Sequence, residues 1–238
     1  MGGGVSVFVP AAMYLAAAAL APRARAEYAL TVTAREILSA NGDLGPDAPI
    51  MVTLRRLHDL LSRRGIAYCV VGGVAVVRNG APRTTHDIDV LVDRRGWESL
   101  ARAEGTLTVE AGSARDEETG IPIDALFPGD EWEMPIELPA PESIAEFDAD
   151  LGAWFASLAA LLAIKTAVYL KKRAEEGEEL AAKDLADIVS LVQAHDAERI
   201  RTAAAAVPGP VRAELERIVG RVLRSGGDRN RRGRGGRA

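Results

Sequence analysis

Between residues 66 and 92 two short apolar runs flank a double glycine, and this arrangement limits the folds open to the chain. Residues 66–71 are continuously apolar and rich in β-branched side chains, the composition of a buried strand. Gly72-Gly73 breaks the run. Residues 74–78 then form a short helical candidate, closed by Asn79-Gly80 and Pro82. Residues 87–92 set Asp87 and Asp89 against Ile88, Val90 and Val92, the period of two that belongs to a strand.

The flanking segments extend this pattern. Residues 52–64 carry Leu54, Leu57, Leu60 and Leu61 at helical spacing and stop at Gly65. Residues 94–104 read as a helix with Trp97 and Leu100. Residues 107–110 and 121–127 read as strands joined by the polar loop 112–120. After a loop marked by Pro135, Pro139 and Pro141, helices are expected over 154–173, 181–193 and about 211–223. The expected class is α+β: a small mixed β-sheet with packed helices over 50–130, followed by a helical subdomain over 140–224.

The ends differ in composition. Residues 5–21 are apolar and alanine-rich and lead to Ala24-Arg25-Ala26, as a secretory signal would, but no basic residue precedes them. Residues 1–30 are therefore read as either an export signal or a non-functional extension, and in both cases as lying outside the fold. Residues 225–238 are rich in glycine and arginine and are expected to be a disordered tail, with Arg229, Arg231, Arg232, Arg234 and Arg237 available to phosphates only non-specifically. A net charge of -5 argues against a globally basic nucleic-acid binder. The single cysteine, Cys69, rules out a disulfide framework within the chain, and His58, His86 and His195 show no zinc-ligand spacing.

The chemistry centres on the glycines and the aspartates. Two glycines between strand and helix let the backbone turn sharply and approach a ligand, with N–H groups of the following helix turned toward an anion. Residues two apart on a strand face the same side, so Asp87 and Asp89 repel each other unless a cation sits between them. Mg²⁺, a hard cation held by carboxylates and substrate phosphates, fits that need. Upstream, Arg83 is suited to steadying phosphates or the loop, and Thr85 to orienting the carboxylates. Asp124 lies in a predicted strand; if that strand pairs beside residues 87–92, three carboxylates converge, as two-metal phosphoryl transfer requires. The third acid would then position the attacking oxygen and take its proton.

Gly72-Gly73, then Arg83-x-Thr85-x-Asp87-Ile88-Asp89, then Asp124, resembles the DNA polymerase beta-type nucleotidyltransferase superfamily. The match is to its minimal bacterial branch, which includes the nucleotidyltransferases of abortive-infection toxin–antitoxin pairs. The resemblance spans residues 52–192. Leu162-Ala163-Ile164-Lys165-Thr166-Ala167, followed by Lys183-Asp184-Leu185-Ala186-Asp187-Ile188, is similar to the family's helix lysine and its K-D-x-x-D helix. The second glycine departs from the branch, which places a serine there.

The resemblance implies two Mg²⁺ ions on Asp87, Asp89 and Asp124, and an NTP donor such as ATP held by Gly72, Gly73, Arg83, Thr85, Lys165 and Asp184. It implies transfer to an acceptor hydroxyl (RNA such as tRNA, a protein or a small molecule), a cytoplasmic setting, no membrane, and a cognate antitoxin or toxin as partner. Nucleotide chemistry of this kind favours the extension over the export signal for residues 1–30. The alternative is a catalytically silent nucleotide-binding regulatory protein or antitoxin. From the residues alone, Lys165 at the edge of an apolar stripe snorkels to water unless a phosphate faces it. Lys183 and Asp187 read equally as a surface salt bridge or as functional groups.

Overall fold

The computed structural model describes residues 48–234, apart from 82, 84, 101–102 and 130–133. The amino-terminal extension and the last four residues of the tail lie outside the described residues.

Helix α1 (Pro49–Arg63) opens with a proline in its first turn, where a missing N–H costs nothing. Its leucine stripe, Leu54, Leu57, Leu60 and Leu61, is buried, and Gly65 past its end takes φ +65. Each fully buried leucine contributes about 1.5–3 kcal/mol. Strand β1 (Tyr68–Val70) runs directly into α2 (Gly72–Arg78), so the two glycines form the first turn of a helix expected to start after them. Then come β2 (Ile88–Val92) and the short α3 (Arg94–Glu98), capped by Asp93, whose side chain accepts from the Gly96 N–H. Helix α3 stops well before residue 104, because β3 (Ala103–Glu104) and β4 (Leu107–Val109) follow as a hairpin.

Residues 112–120, expected to be a loop, contain β5 (Ser113–Asp116), which pairs with β4 and with β6 (Pro122–Leu126). The strand looks polar because one of its inward residues is an acid. Asp116 is buried and satisfied by Arg56 at 2.9 Å and Thr53 at 3.0 Å.

After a 3-10 turn at Pro141–Ser143, β7 (Ala145–Asp148) and β8 (Ala153–Ala156) form a hairpin, and β8 runs parallel to β1. Residues 145–156 thus belong to the sheet, and the helical part begins at α4 (Leu158–Glu175) rather than at 140 or at Trp154. Ser157 caps it by accepting from the Ala160 N–H. Helix α5 (Glu178–Ala194) folds back on α4 after Gly177. Asp196 then caps α6 (Ala197–Ala206), a helix that the apolar spacing alone did not announce. The last helix, α7 (Gly209–Arg234), packs on α4, α5 and α6. Its helical backbone continues beyond Leu223, where the apolar spacing ends and a disordered tail was expected. Adding a residue to an existing helix is far easier than starting one.

The eight strands form one mixed sheet in the order β3-β4-β5-β6-β2-β1-β8-β7, with β2–β6 and β1–β8 parallel and the remaining pairs antiparallel. The class is α+β. One face carries Val70, Val90, Ile123 and Phe155 into the main core with α1. The other places Cys69, Val71, Leu91 and Ala156 against Leu138 and Ile164 of α4. Cys69 is a buried apolar residue, and burial pushes its thiol up to about 12. Among the described residues, no helix is long and apolar enough to cross a membrane.

Candidate active site

The parallel pairing of β2 with β6 sets Asp89 directly opposite Asp124. Neighbours in register project to the same side, so the two carboxylates share the face opposite Ile88 and Ile123. Asp87 stands one residue ahead of β2, in a bend rather than on the strand where the alternation placed it. It still joins the other two, because Thr85, itself buried, donates its hydroxyl to Asp87 Oδ1 at 2.7 Å. Asp87, Asp89 and Asp124 each offer an oxygen within 4.8 Å of the others. Asp87 and Asp89 are half-buried and Asp124 is exposed, so the cluster opens to solvent on the Asp124 side.

The glycines make room for this cluster. Gly72 has φ +58, and a Cβ there would lie 1.6 Å from Asp89 Oδ2. The carboxylate therefore occupies the space of the missing side chain. A Cβ on Gly73 would lie 2.3 Å from Thr85 Oγ1 and 3.1 Å from Arg83 Cζ. Thr85 and Arg83 thus lie across the glycine, so a serine here would have to push the Thr85 side chain aside. The Gly73 N–H, expected to await a phosphate, is directed at Asp89 Oδ2 at 3.4 Å. Burial holds the Asp89 carboxyl above its usual range, and the charges of Asp87 and Asp124 add to that rise. Lys165 and the Gly73 N–H act against it.

Lys165 comes from the middle of α4 and does not snorkel. It is 7% exposed and lies 2.8 Å from Asp187 Oδ2 and 3.5 Å from Asp184 Oδ1. Arg83 reaches the same Asp187 oxygen at 2.9 Å. Asp184 also takes Lys172 at 2.8 Å. The structure therefore brings Gly72, Gly73, Arg83, Thr85, Asp87, Asp89, Asp124 and Lys165 into one neighbourhood, and joins Asp184 to it through Lys165. Asp187 is buried rather than on the surface, whereas Lys183 is exposed. His86 is exposed. Lys172 went unnoticed in the sequence. The signal for it was its spacing of seven residues from Lys165, which puts both lysines on one face of a helix.

No family model matches the chain, and no curated protein does. Among solved structures, an antigenic nucleotidyltransferase-like protein from Paracoccidioides brasiliensis is similar at a TM-score of 0.48 and 17% identity, over 76% of this chain and 90% of that one. The antibiotic-resistance factor ANT(2'')-Ia is similar at a TM-score of 0.35 and 18% identity, over 67% of this chain and 96% of that one. Both scores are below 0.5, so the case for the site rests on its own geometry.

Proposed function

We propose that the chain transfers a nucleotidyl group from a nucleoside triphosphate to an acceptor hydroxyl and releases pyrophosphate. The observation that carries this reading is the meeting of Asp87, Asp89 and Asp124 beside a double glycine, with Lys165 behind them. Three carboxylates within mutual reach, one of them destabilised by burial and by its neighbours' charge, form a donor set that suits a hard divalent cation. Asp87, Asp89 and Asp124 would hold Mg²⁺, with two ions expected from the resemblance. When bound, it would supply positive charge at the phosphoryl oxygens.

The chain's own residues do the rest. Gly72 and Gly73 leave the space in which Asp89, Thr85 and Arg83 lie. Thr85 aims Asp87. Lys165 and Arg83 present positive charge to the triphosphate, and Asp184 acts on a nucleotide through Lys165 and Lys172. Asp124, the exposed acid, takes the proton of the acceptor hydroxyl. As it does so the acceptor oxygen bonds to the α-phosphorus, and the bond from that phosphorus to the pyrophosphate oxygen breaks.

For the acceptor we favour RNA such as tRNA over a protein or a small molecule. The support is the resemblance of the glycine and aspartate motifs to toxin-type enzymes, which also makes a cognate antitoxin and a cytoplasmic setting part of the reading. The test is incubation with each labelled NTP and Mg²⁺ in cell extract, followed by separation of RNA from protein. Label in the RNA fraction supports nucleotidyl transfer with RNA as the acceptor. Label only in protein or small molecules overturns the acceptor, and no transfer in any fraction overturns the activity.

A further inference from the structure

Five charged side chains form a continuous line of ion pairs beside the acidic cluster: Arg83, Asp187, Lys165, Asp184 and Lys172. The middle of the line is buried, with Lys165 at 7%, Asp184 at 3% and Asp187 at 6% exposure. Burying such groups costs desolvation that the ion pairs repay only in part, so stability alone is a weak reason to keep them. One contact is especially ill-suited to a purely structural role. Arg83 Nη1 and Lys165 Nζ converge on the same oxygen, Asp187 Oδ2, at 2.9 and 2.8 Å. Two cations drawn to one atom repel each other, and separate partners would stabilise the fold better.

The shared oxygen does fix the spacing between a loop cation and a helix cation. Arg83 belongs to the segment that carries Thr85, and Thr85 holds Asp87. Lys165 acts electrostatically on Asp89. A single atom on α5 is thereby joined to the supports of two of the three clustered acids, and to both cations that would meet a triphosphate.

We propose that Asp187 is a positioning residue that sets Arg83 and Lys165 in register for a triphosphate at the acidic cluster; the inference rests on the nucleotidyl-transfer reading above. The Asp187→Asn side chain keeps the size and an accepting oxygen but removes the charge that holds two cations together. It lowers kcat at least tenfold at saturating NTP and Mg²⁺. In an Arg83→Gln background the same change costs much less, because one of the two cations it served is gone. A residue that only supported the fold would lower the unfolding midpoint and leave kcat alone at temperatures well below it.

The test is steady-state pyrophosphate release by the wild type, Asp187→Asn, Arg83→Gln and the double variant, with circular dichroism to establish folding. If Asp187→Asn fails to fold, Asp187→Glu replaces it: the charge is kept but displaced, and kcat is again expected to fall. An active wild type with kcat unchanged in the folded Asp187 variant overturns the inference and leaves the proposed function standing. So do effects at Arg83 and Asp187 that simply multiply. A wild type that releases no pyrophosphate with any NTP overturns the proposed function, and the inference with it.

Discussion

Gly72 bears the tightest constraint of any single residue in the site. Its φ of +58 alone would cost a non-glycine residue about 1–2 kcal/mol. The carboxylate of Asp89 also fills the place of its side chain. Gly72→Ala is therefore expected to displace Asp89 and abolish transfer, with a fall in melting temperature measurable by calorimetry. Transfer at the wild-type rate would show that Asp89 does not need this place. Gly73→Ser is expected to act differently, by pushing aside Thr85 and so loosening Asp87; its kcat should fall while its fold persists. The glycines, Asp89 and Asp124 were legible in the sequence because each has a local reason, a sharp turn or a strand, whereas the strand begins one residue after Asp87, which Thr85 holds in place instead. Asp187 was only half legible. From sequence, an acid on an amphipathic helix looks the same whether it faces water or a buried lysine, and only the packing of α5 on α4 separates the two.

Among the elements, α4 decides most. Its apolar face supplies the core while Lys165 and Lys172 leave that face toward α5. Lys165→Ala is expected to cost about 2–4 kcal/mol of transition-state stabilisation, typical of losing one electrostatic stabiliser. Removing a lysine that snorkelled to water would scarcely change stability, but Lys165 is buried between two aspartates. The substitution leaves Asp187 with Arg83 alone and Asp184 with Lys172 alone, so a folding loss of about 1–3 kcal/mol is expected from denaturant unfolding. Unchanged kinetics would remove Lys165 from the site.

Strand β5 makes the second case. Burial raises the Asp116 carboxyl, but hydrogen bonds from Arg56, Thr53 and the Glu118 N–H outweigh it and hold the group below its usual range. A depressed folded value means stability that is present above the unfolded value of about 3.9 and lost as pH falls through the folded one. Asp116→Asn is therefore expected to lower the urea midpoint at pH 7, with the gap to wild type narrowing below about pH 4. A gap that stays constant with pH would show that packing, not charge, is what Asp116 contributes. Strands β3, β5, β7 and β8 escaped the sequence reading. In β5 a buried acid mimics a loop, and in β8 a short apolar run fits strand and helix periods alike until Ser157 is recognised as a cap.

At the scale of the whole molecule, the sheet order explains how residues far apart in sequence form one site. The chain goes from β2 out to the edge at β3 and returns through β4 and β5 to β6, which lands parallel beside β2 and brings Asp124 to Asp89. It then crosses to the other edge, so that β8 runs beside β1 and delivers α4 to the second face. Asp87, Asp89 and Asp124 are proposed above to form a metal-dependent site for nucleotidyl transfer. The most direct measurement follows label transfer and pyrophosphate release from each NTP, with and without Mg²⁺, for the wild type and Asp89→Asn in parallel. Calorimetry on both proteins reads the metal independently of turnover. Mg²⁺-dependent release is expected from the wild type and none from the variant. A higher melting temperature is also expected for the variant without metal, because a repelled, half-buried charge has been removed, as is Mg²⁺ stabilisation of the wild type alone. Near-normal release by Asp89→Asn, or Mg²⁺ stabilising both proteins equally, would contradict a metal-dependent transfer site at these three acids.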